Sequence, residues 1–426
     1  MKILVLSQYW HPENGVPQRR WSWLAGILTE AGHDVTVIAP PPHYKRQLTF
    51  GQWLSEVQGR SFSTSESGAS GEKIFRSAFV PGGPSILQKT LNQAVVAAGT
   101  LVTGLVRPGA LKDYRPDVVI GTVPALPTAP VCWAVAKRMN APFIIDLRDA
   151  WPDLLQVSDT WNRGLEEPGT QRRQVKKLAM TVLKAAAKTV VNASLRHSDA
   201  LMVTSGNLRK SYRRRLPDIP AVTIRNVFPP QSSSSRAPRR GEDGRLHVLY
   251  AGTLGRAQHL NNALEAARLA EEQGTSMSLK FVGAGVSRKS LVRLAERYGL
   301  DAEFYQQHAA SDLSEFYEWA DTALVHLTDW EPLERTVPSK TYELMENCIH
   351  ISGVVVGETA DLVNNHKAGD VVPPEDPAAL AALWVELSRH RERLIVSDSG
   401  AQWVRDQREH EVPRALLELI ARVGNA

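Results

Sequence analysis

Apolar residues fall into short β-branched runs separated by stretches of helical spacing, and the two patterns alternate along the chain. Residues 2–9 are a largely apolar run that predicts a strand. Residues 17–31 follow with Trp21, Leu24, Ala25 and Leu28 on one helical face, and Gly32 ends the pattern. Residues 34–39, 117–120, 142–147, 200–204 and 221–224 predict further strands, most of them separated by helical stretches. Short strands alternating with helices argue for a parallel α/β sheet.

The character changes at residues 229–245, where Pro229-Pro230-Gln231 runs into Ser232-Ser233-Ser234-Ser235 and a charged, Gly-containing stretch. That composition predicts a flexible linker. A second series then begins, with strands at 247–251, 278–282, 302–306, 322–327 and 349–356 and helices at 260–272 and 287–298. The expected organisation is an N-terminal domain over 1–228, a linker over 229–245, a C-terminal domain over 246–400 and a helical region over 401–426. Such a pair places its ligand in a cleft between the domains, at the carboxyl ends of the strands. Two stretches stand apart. Residues 56–71, rich in Ser and Gly, predict a loop. Residues 171–192 predict a basic amphipathic helix, with Val175, Leu178, Val182, Leu183, Ala186 and Val190 in a stripe flanked by Arg172, Arg173, Lys176, Lys177, Lys184 and Lys188.

Composition narrows the class. The 426 residues are 43% apolar and 22% charged, which suits a globular protein of two or three domains. Cys132 and Cys348 have no Cys or His partners at metal spacing and read as buried, reduced thiols in a reducing cytoplasm. The opening run Met1-Lys2-Ile3-Leu4-Val5-Leu6-Ser7 is too short for a signal peptide. No stretch reaches the roughly 18 apolar residues of a membrane span, and the nearest, 91–106, carries Asn92 and Gln93. A net charge of +5 and a pI of about 9.1 suit anionic ligands such as nucleotides, phosphates or acidic lipids. No aromatic-and-basic RNA motif or zinc finger is present, so nucleic acid is not an expected partner.

Four constellations can carry chemistry. Gly252-Thr253-Leu254-Gly255-Arg256 follows a strand and precedes a helix, where glycines let the backbone approach a phosphate and Arg256 adds a charged contact; the alternative is an ordinary turn with a surface arginine. Val337-Pro338-Ser339-Lys340 opens a helix, with Ser339 as a candidate cap. Lys340 lies in the first turn, where the helix dipole disfavours a cation, so a shared phosphate would offset that cost. Glu343, about one turn on, can accept from the vicinal hydroxyls of a ribose; the alternative is a solvated Lys and Glu. Asp146-Leu147-Arg148-Asp149-Ala150-Trp151-Pro152-Asp153 ends a strand. There Asp149 can orient or deprotonate an acceptor hydroxyl and Arg148 can bind phosphate, or the two form a structural ion pair. In the loop after the first strand, Gly15 permits close approach, and Arg19 and Arg20 stand in the first turn of the next helix, as anion ligands or as solvated side chains.

Taken together, the motifs resemble those of the retaining GT-B glycosyltransferases that use nucleotide-sugars, and more narrowly the bacterial members that build polysaccharide and O-antigen units, such as N-acetyl-fucosamine transferases. The pieces are residues 2–9 and the Gly loop, Ala31-Gly32-His33-Asp34-Val35-Thr36-Val37, Asp146-Leu147-Arg148-Asp149-Ala150-Trp151-Pro152, Arg225-Asn226-Val227, Gly252-Thr253-Leu254-Gly255, Pro338-Ser339-Lys340, and Asp370-Val371-Val372-Pro373-Pro374 with the helix from Pro377. They span nearly the whole chain. The resemblance implies an α/β fold of two Rossmann-like domains facing each other across a cleft, with the C-terminal helix crossing back to the N-terminal domain. It implies an N-terminal acceptor domain and a C-terminal donor domain. Its implied donor site is Gly252, Thr253, Gly255, Arg256, Gly283, Val337, Pro338, Ser339, Lys340 and Glu343, with Arg256 and Lys340 on the pyrophosphate and Glu343 on the ribose. Its acceptor side is Gly15, Arg19, Arg20 and Arg148, with Asp149 beside Arg256 and Lys340 as a catalytic candidate. No cofactor or metal is expected.

The partners implied are a nucleotide-sugar donor and a glycan, lipid-linked or small-molecule acceptor. The inner face of the plasma membrane is a candidate surface for residues 91–106 and 171–192, with packing against the core as the alternative. Departures are visible too. The first glutamate of the family's E-x7-E motif falls at Arg335, with Glu334 one residue away, and the loop Gly121-Thr122-Val123-Pro124-Ala125-Leu126 lacks the His that many members carry there. An epimerase of similar fold and a non-enzymatic binder are the competing readings.

Overall fold

The computed structural model describes residues 1–426 other than 14, 43–49, 59–63, 82–85, 124, 156–170, 231–242, 309 and 426. The chain divides into two compact units: unit 1 is Met1–Phe228 with Glu411–Ala426, and unit 2 is Pro229–His410.

Unit 1 is built on an eight-stranded sheet of order β3-β4-β2-β1-β5-β6-β7-β8. Its strands are β1 (Lys2–Leu6), β2 (Asp34–Ala39), β3 (Ser65–Ser67), β4 (Lys73–Arg76), β5 (Val118–Val123), β6 (Phe143–Leu147), β7 (Ala200–Val203) and β8 (Ala221–Thr223). All pair in parallel except β3 with β4. Strands β1, β5 and β6 are mostly apolar and buried on both faces, as expected of a parallel sheet covered by helices on both sides. The helix Val16–Glu30 buries Trp21, Leu24, Ala25 and Leu28, the face its spacing predicts. It stops at Gly32, whose φ of +82° reverses the chain in a conformation that costs glycine little.

Strand β3 corrects the expected loop at 56–71. Its three side chains are exposed and polar, so no alternation marks it, and the edge position is held by pairing with β4 and by Arg76 Nε on Glu66 Oε2 at 2.9 Å. The earlier part of that stretch belongs to the helix Phe50–Gln58, and residues 59–63 lie outside the described residues.

Unit 2 carries a six-stranded parallel sheet of order β11-β10-β9-β12-β13-β14. Its strands are β9 (Leu246–Ala251), β10 (Met277–Val282), β11 (Ala302–Tyr305), β12 (Thr322–His326), β13 (His350–Val354) and β14 (Gly369–Val372). A chain of hydrogen bonds crosses it: the Trp384 indole donates to Ser352, Ser352 meets Thr322, Thr322 meets His350, and His350 meets Asp370. Every buried polar group in that chain has a partner, which fixes the register of β12, β13 and β14.

The expected linker falls mostly on residues 231–242, outside the described residues. The C-terminal stretch 401–426 divides. Helix Ser399–Asp406 packs in unit 2 against helix Ser339–Glu346, with Trp403 6.2 Å from Tyr342. Helix Val412–Gly424 packs in unit 1 against β5, β8 and helix Val16–Glu30. Cys132 is buried as expected, whereas Cys348 is exposed.

Candidate active site

The loops that follow the unit 2 strands are laced to one another through their backbones. Gly252 N–H donates to Val282 O at 2.9 Å, Leu254 N–H to Ala284 O at 2.9 Å, and Ser287 N–H to Leu254 O at 3.0 Å. The steric demand for glycine is sharpest at Gly283, where a Cβ would lie 1.8 Å from the Gly252 carbonyl oxygen, and at Gly285, where it would lie 2.1 Å from Leu254 O. Gly285 escaped the sequence reading, although Gly283-Ala284-Gly285 was there to be seen. At Gly252 and Gly255 a Cβ would meet only the ends of the Tyr250 and Gln258 side chains, so those two glycines leave surface open rather than relieve a backbone clash. Thr253 is exposed, and so is Arg256, which begins the short 3-10 turn Arg256–Gln258. Beneath that turn, His326 contacts Asn262 at 3.1 Å. Burial, with His259 nearby, pushes its pKa down to about 3, so the ring is neutral at physiological pH.

On the other side of β9, the loop after β12 is pressed against the start of the next strand's helix. A Cβ on Gly357 would lie 2.1 Å from Glu334 O, and Thr359 Oγ1 donates to Thr336 O at 2.9 Å. Arg335, at the place of the first glutamate of the E-x7-E pattern, turns to Glu331 Oε2 at 2.8 Å. Val337 is buried, Pro338 is the N-cap of helix Ser339–Glu346, and no side chain caps it. Ser339 is therefore the first helical residue and not the cap, a correction to the sequence reading.

At the start of this helix three side chains form one hydrogen-bonded cluster. Lys340 Nζ donates to Tyr317 Oη at 2.7 Å and to Glu343 Oε2 at 3.1 Å, and Tyr317 Oη donates to Glu343 Oε1 at 2.7 Å. Tyr317, from helix Ser314–Trp319, is fully buried, and its ring centroid lies 5.3 Å from the Lys340 ammonium. The cost of a cation in the first turn is thus offset by the Glu343 carboxylate and the tyrosine. Sequence spacing brought Lys340 and Glu343 together; nothing in it pointed to Tyr317, which comes from another helix.

The unit 1 sheet sorts its charged residues differently. Arg20 is fully buried and structural: its guanidinium holds both oxygens of Asp146 at 2.8 and 3.3 Å, Ile224 O at 2.8 Å and Asn226 Oδ1 at 2.9 Å. Trp21 Nε1 adds a further bond to Asp146 at 2.9 Å. Arg20 has no surface to offer an acceptor, which corrects its assignment as a ligand, and the Asn226 of the Arg225-Asn226-Val227 motif serves the same internal knot. Arg19 is half-buried and lies 4.4 Å over the Phe228 ring. Gly15 is the extended N-cap of helix Val16–Glu30.

Arg148 and Asp149 follow β6. The Arg148 peptide is pinned by its N–H on Val123 O at 3.2 Å and by Thr204 Oγ1 on its carbonyl at 2.8 Å. The structural ion pair with Asp149, one of the two readings left open, is not made through Nε or Nη1 of Arg148, which meet no hydrogen-bond partner. Burial lowers the pKa of Arg148. Burial also raises that of Asp149, against the opposing pull of Arg148 and the Trp151 indole.

The chain is similar to known proteins. Residues 15–229 match the glycosyl transferase 4-like domain, and residues 233–395 match glycosyl transferases group 1. The chain therefore belongs to these glycosyltransferases, which selects the transferase from the readings the sequence left open. Its paired Rossmann-like sheets are those of the GT-B fold. A curated relative, the putative colanic acid biosynthesis glycosyl transferase WcaI of Escherichia coli K12, is 26% identical over 347 residues, 76% of each chain. Among solved structures, sucrose-phosphate synthase of Thermosynechococcus elongatus aligns with a TM-score of 0.68 at 15% identity, covering 99% of this chain and 98% of that one. Anabaena HepE in complex with UDP aligns with a TM-score of 0.61 at 14% identity, over 99% and 100% of the two chains.

Proposed function

We propose that the protein is a retaining, metal-independent glycosyltransferase that moves a sugar from a nucleotide-sugar to a glycan or lipid-linked acceptor in cell-surface polysaccharide synthesis. The observation that carries this reading is the Lys340–Tyr317–Glu343 cluster at the start of helix Ser339–Glu346, together with the glycine-laced loop after β9, the strand next to β12, ending in an exposed Arg256. Arg256, Lys340 and the helix N-terminus supply positive charge where the diphosphate departs, the role of preorganised electrostatics in such reactions. Glu343 takes the ribose hydroxyls. Backbone at Gly252, Thr253, Gly255, Gly283, Val337, Pro338 and Ser339 lines the donor. The bond from the anomeric carbon to the diphosphate breaks, and the acceptor oxygen bonds to the same face of that carbon. Asp149 orients the acceptor hydroxyl or takes its proton, with Gly15, Arg19 and Arg148 holding the acceptor. The UDP bound by HepE supports a nucleotide-sugar donor, and the colanic acid biosynthesis ascribed to the WcaI relative supports a polysaccharide product.

A membrane surface fits two exposed apolar faces of unit 1. Leu91, Val102, Leu105 and Val106 are exposed on helix Ile86–Val106, and Val182, Leu183 and Val190 on helix Gln171–Arg196, whose side chains 171–180 lie outside the described residues. Both helices pack against helix Thr128–Met139, and Lys184 and Lys188 flank the second patch. Among the described residues no helix is long and apolar enough to cross a membrane. We place the protein on the cytoplasmic face of the plasma membrane.

The test is a melting panel of nucleoside diphosphates and nucleotide-sugars, since a ligand of the folded state must raise the melting temperature. A product whose anomeric configuration matches the donor, formed with chelator present, is the expected outcome; inversion, or turnover lost on chelation, refutes the mechanism. Sedimentation with anionic vesicles and no response to Leu105→Ser plus Val106→Ser would remove the membrane proposal.

A further inference from the structure

Among the arginines that unit 1 buries, Arg20 and Arg148 are treated in opposite ways. Arg20 is saturated with acceptors, as described above. Arg148, two residues beyond Asp146, retains 7% exposure, yet its Nε and Nη1 have no hydrogen-bond partner. Of the two carboxylates that draw on it, Asp146 is held by Arg20 and Trp21, and Asp149 makes no hydrogen bond to its Nε or Nη1. The backbone on either side of Arg148 is pinned to β5 and to Thr204 just beyond β7, so the residue is held in place while Nε and Nη1 of its head group are left unanswered. A desolvated guanidinium with unmet donors costs stability, and an anion reaching the carboxyl end of the sheet would offset that cost.

We propose that the acceptor carries an oxyanion, a phosphate ester or a sugar carboxylate, and that Arg148 is the residue that seats it beside Asp149. The proposal rests on reading the unit 1 edge as the acceptor side. The donor diphosphate has its own cations, Arg256 and Lys340, in unit 2, so Arg148 is available to a second anion. Arginine, with several donors in a plane, suits both oxyanion classes.

The experiment compares Arg148→Met with the wild type by thermal melting, first without ligand and then with a saturating nucleoside diphosphate from the panel above. Methyl diphosphate represents the phosphate source and glucuronate the carboxylate source, each at constant ionic strength. Without ligand, Arg148→Met is expected to melt at or above the wild type, because it removes an unpaired buried charge. With the donor site filled, one of the two probes raises the wild-type melting temperature further and leaves the variant unmoved; which probe does so identifies the source. A variant that melts well below the wild type makes Arg148 structural and overturns the proposal. So does a variant that responds like the wild type, a wild type that responds to neither probe, or a nucleoside diphosphate affinity weakened by the substitution. Failure of the donor reading itself is seen earlier, as a wild type that no nucleotide stabilises.

Discussion

Replacing Glu343 separates two roles that the structure gives to one carboxylate. Its Oε1 accepts from the fully buried Tyr317 hydroxyl at 2.7 Å, and its Oε2 meets Lys340 at 3.1 Å. Glu343→Ala strands the tyrosine hydroxyl without an acceptor, which costs about 1–3 kcal/mol. For a unit of this size that is roughly 2–4 °C of melting temperature per kcal/mol. Glu343→Gln keeps a carbonyl oxygen for Tyr317 and turns its amide NH2 toward the Lys340 ammonium, so the partly exposed lysine swings to solvent and the ion pair, worth about 0.3–0.5 kcal/mol at helical spacing, is lost. Stability of the Gln variant should therefore stay close to wild type. Nucleotide binding should not, because a charge-assisted bond to a ribose hydroxyl contributes about 1.5–3 kcal/mol, or roughly 10- to 150-fold in affinity. Calorimetric titration of a nucleoside diphosphate into both variants, with melting curves alongside, measures the two effects separately. A Gln variant that binds like the wild type refutes Glu343 as the ribose ligand; an Ala variant of wild-type stability refutes the energetic role of the tyrosine bond.

Arg20→Met leaves Asp146 as an uncompensated buried carboxylate and should destabilise unit 1 by about 3–5 kcal/mol in chemical denaturation, in contrast to Arg148→Met. Gly283→Ala drives a methyl group into the Gly252 carbonyl, so a loss of about 1–3 kcal/mol with weakened nucleotide binding is expected; unchanged melting would mean the two loops part easily. Asp149 has its pKa raised in the fold, so its stabilising contribution is complete only below the unfolded value of about 3.9 and is lost as pH rises through the folded one. Asp149→Asn should therefore gain stability relative to wild type toward neutral pH and lose that gain in acid, while transfer falls at every pH; a pH-independent difference in melting would contradict the burial argument.

Much of the fold was legible in the order of residues because both signals involved are local. Short apolar runs mark β1, β2, β6 and β7, and 3.6-residue spacing marks the helix Val16–Glu30, without knowledge of neighbours. Strand β3 was not legible, because an exposed polar edge strand is specified by its partner β4 and carries no pattern of its own. The same division runs through the candidate site. Lys340 and Glu343 share a helix, so their spacing alone put them together.

Tyr317 enters that cluster from a helix more than twenty residues earlier, by the packing of unit 2. The contrast between Arg20 and Arg148 is the clearest case. One lies in the first turns of helix Val16–Glu30 and the other just past β6, and nothing in their local sequence separates the one that is saturated from the one with unmet donors. Which guanidinium receives Asp146, Ile224 O and Asn226 depends on residues 126 to 206 positions away. Periodicity and turn chemistry act over a few residues and can be read along the chain. The partner of a buried charge is set by long-range packing, and only the folded chain reveals it.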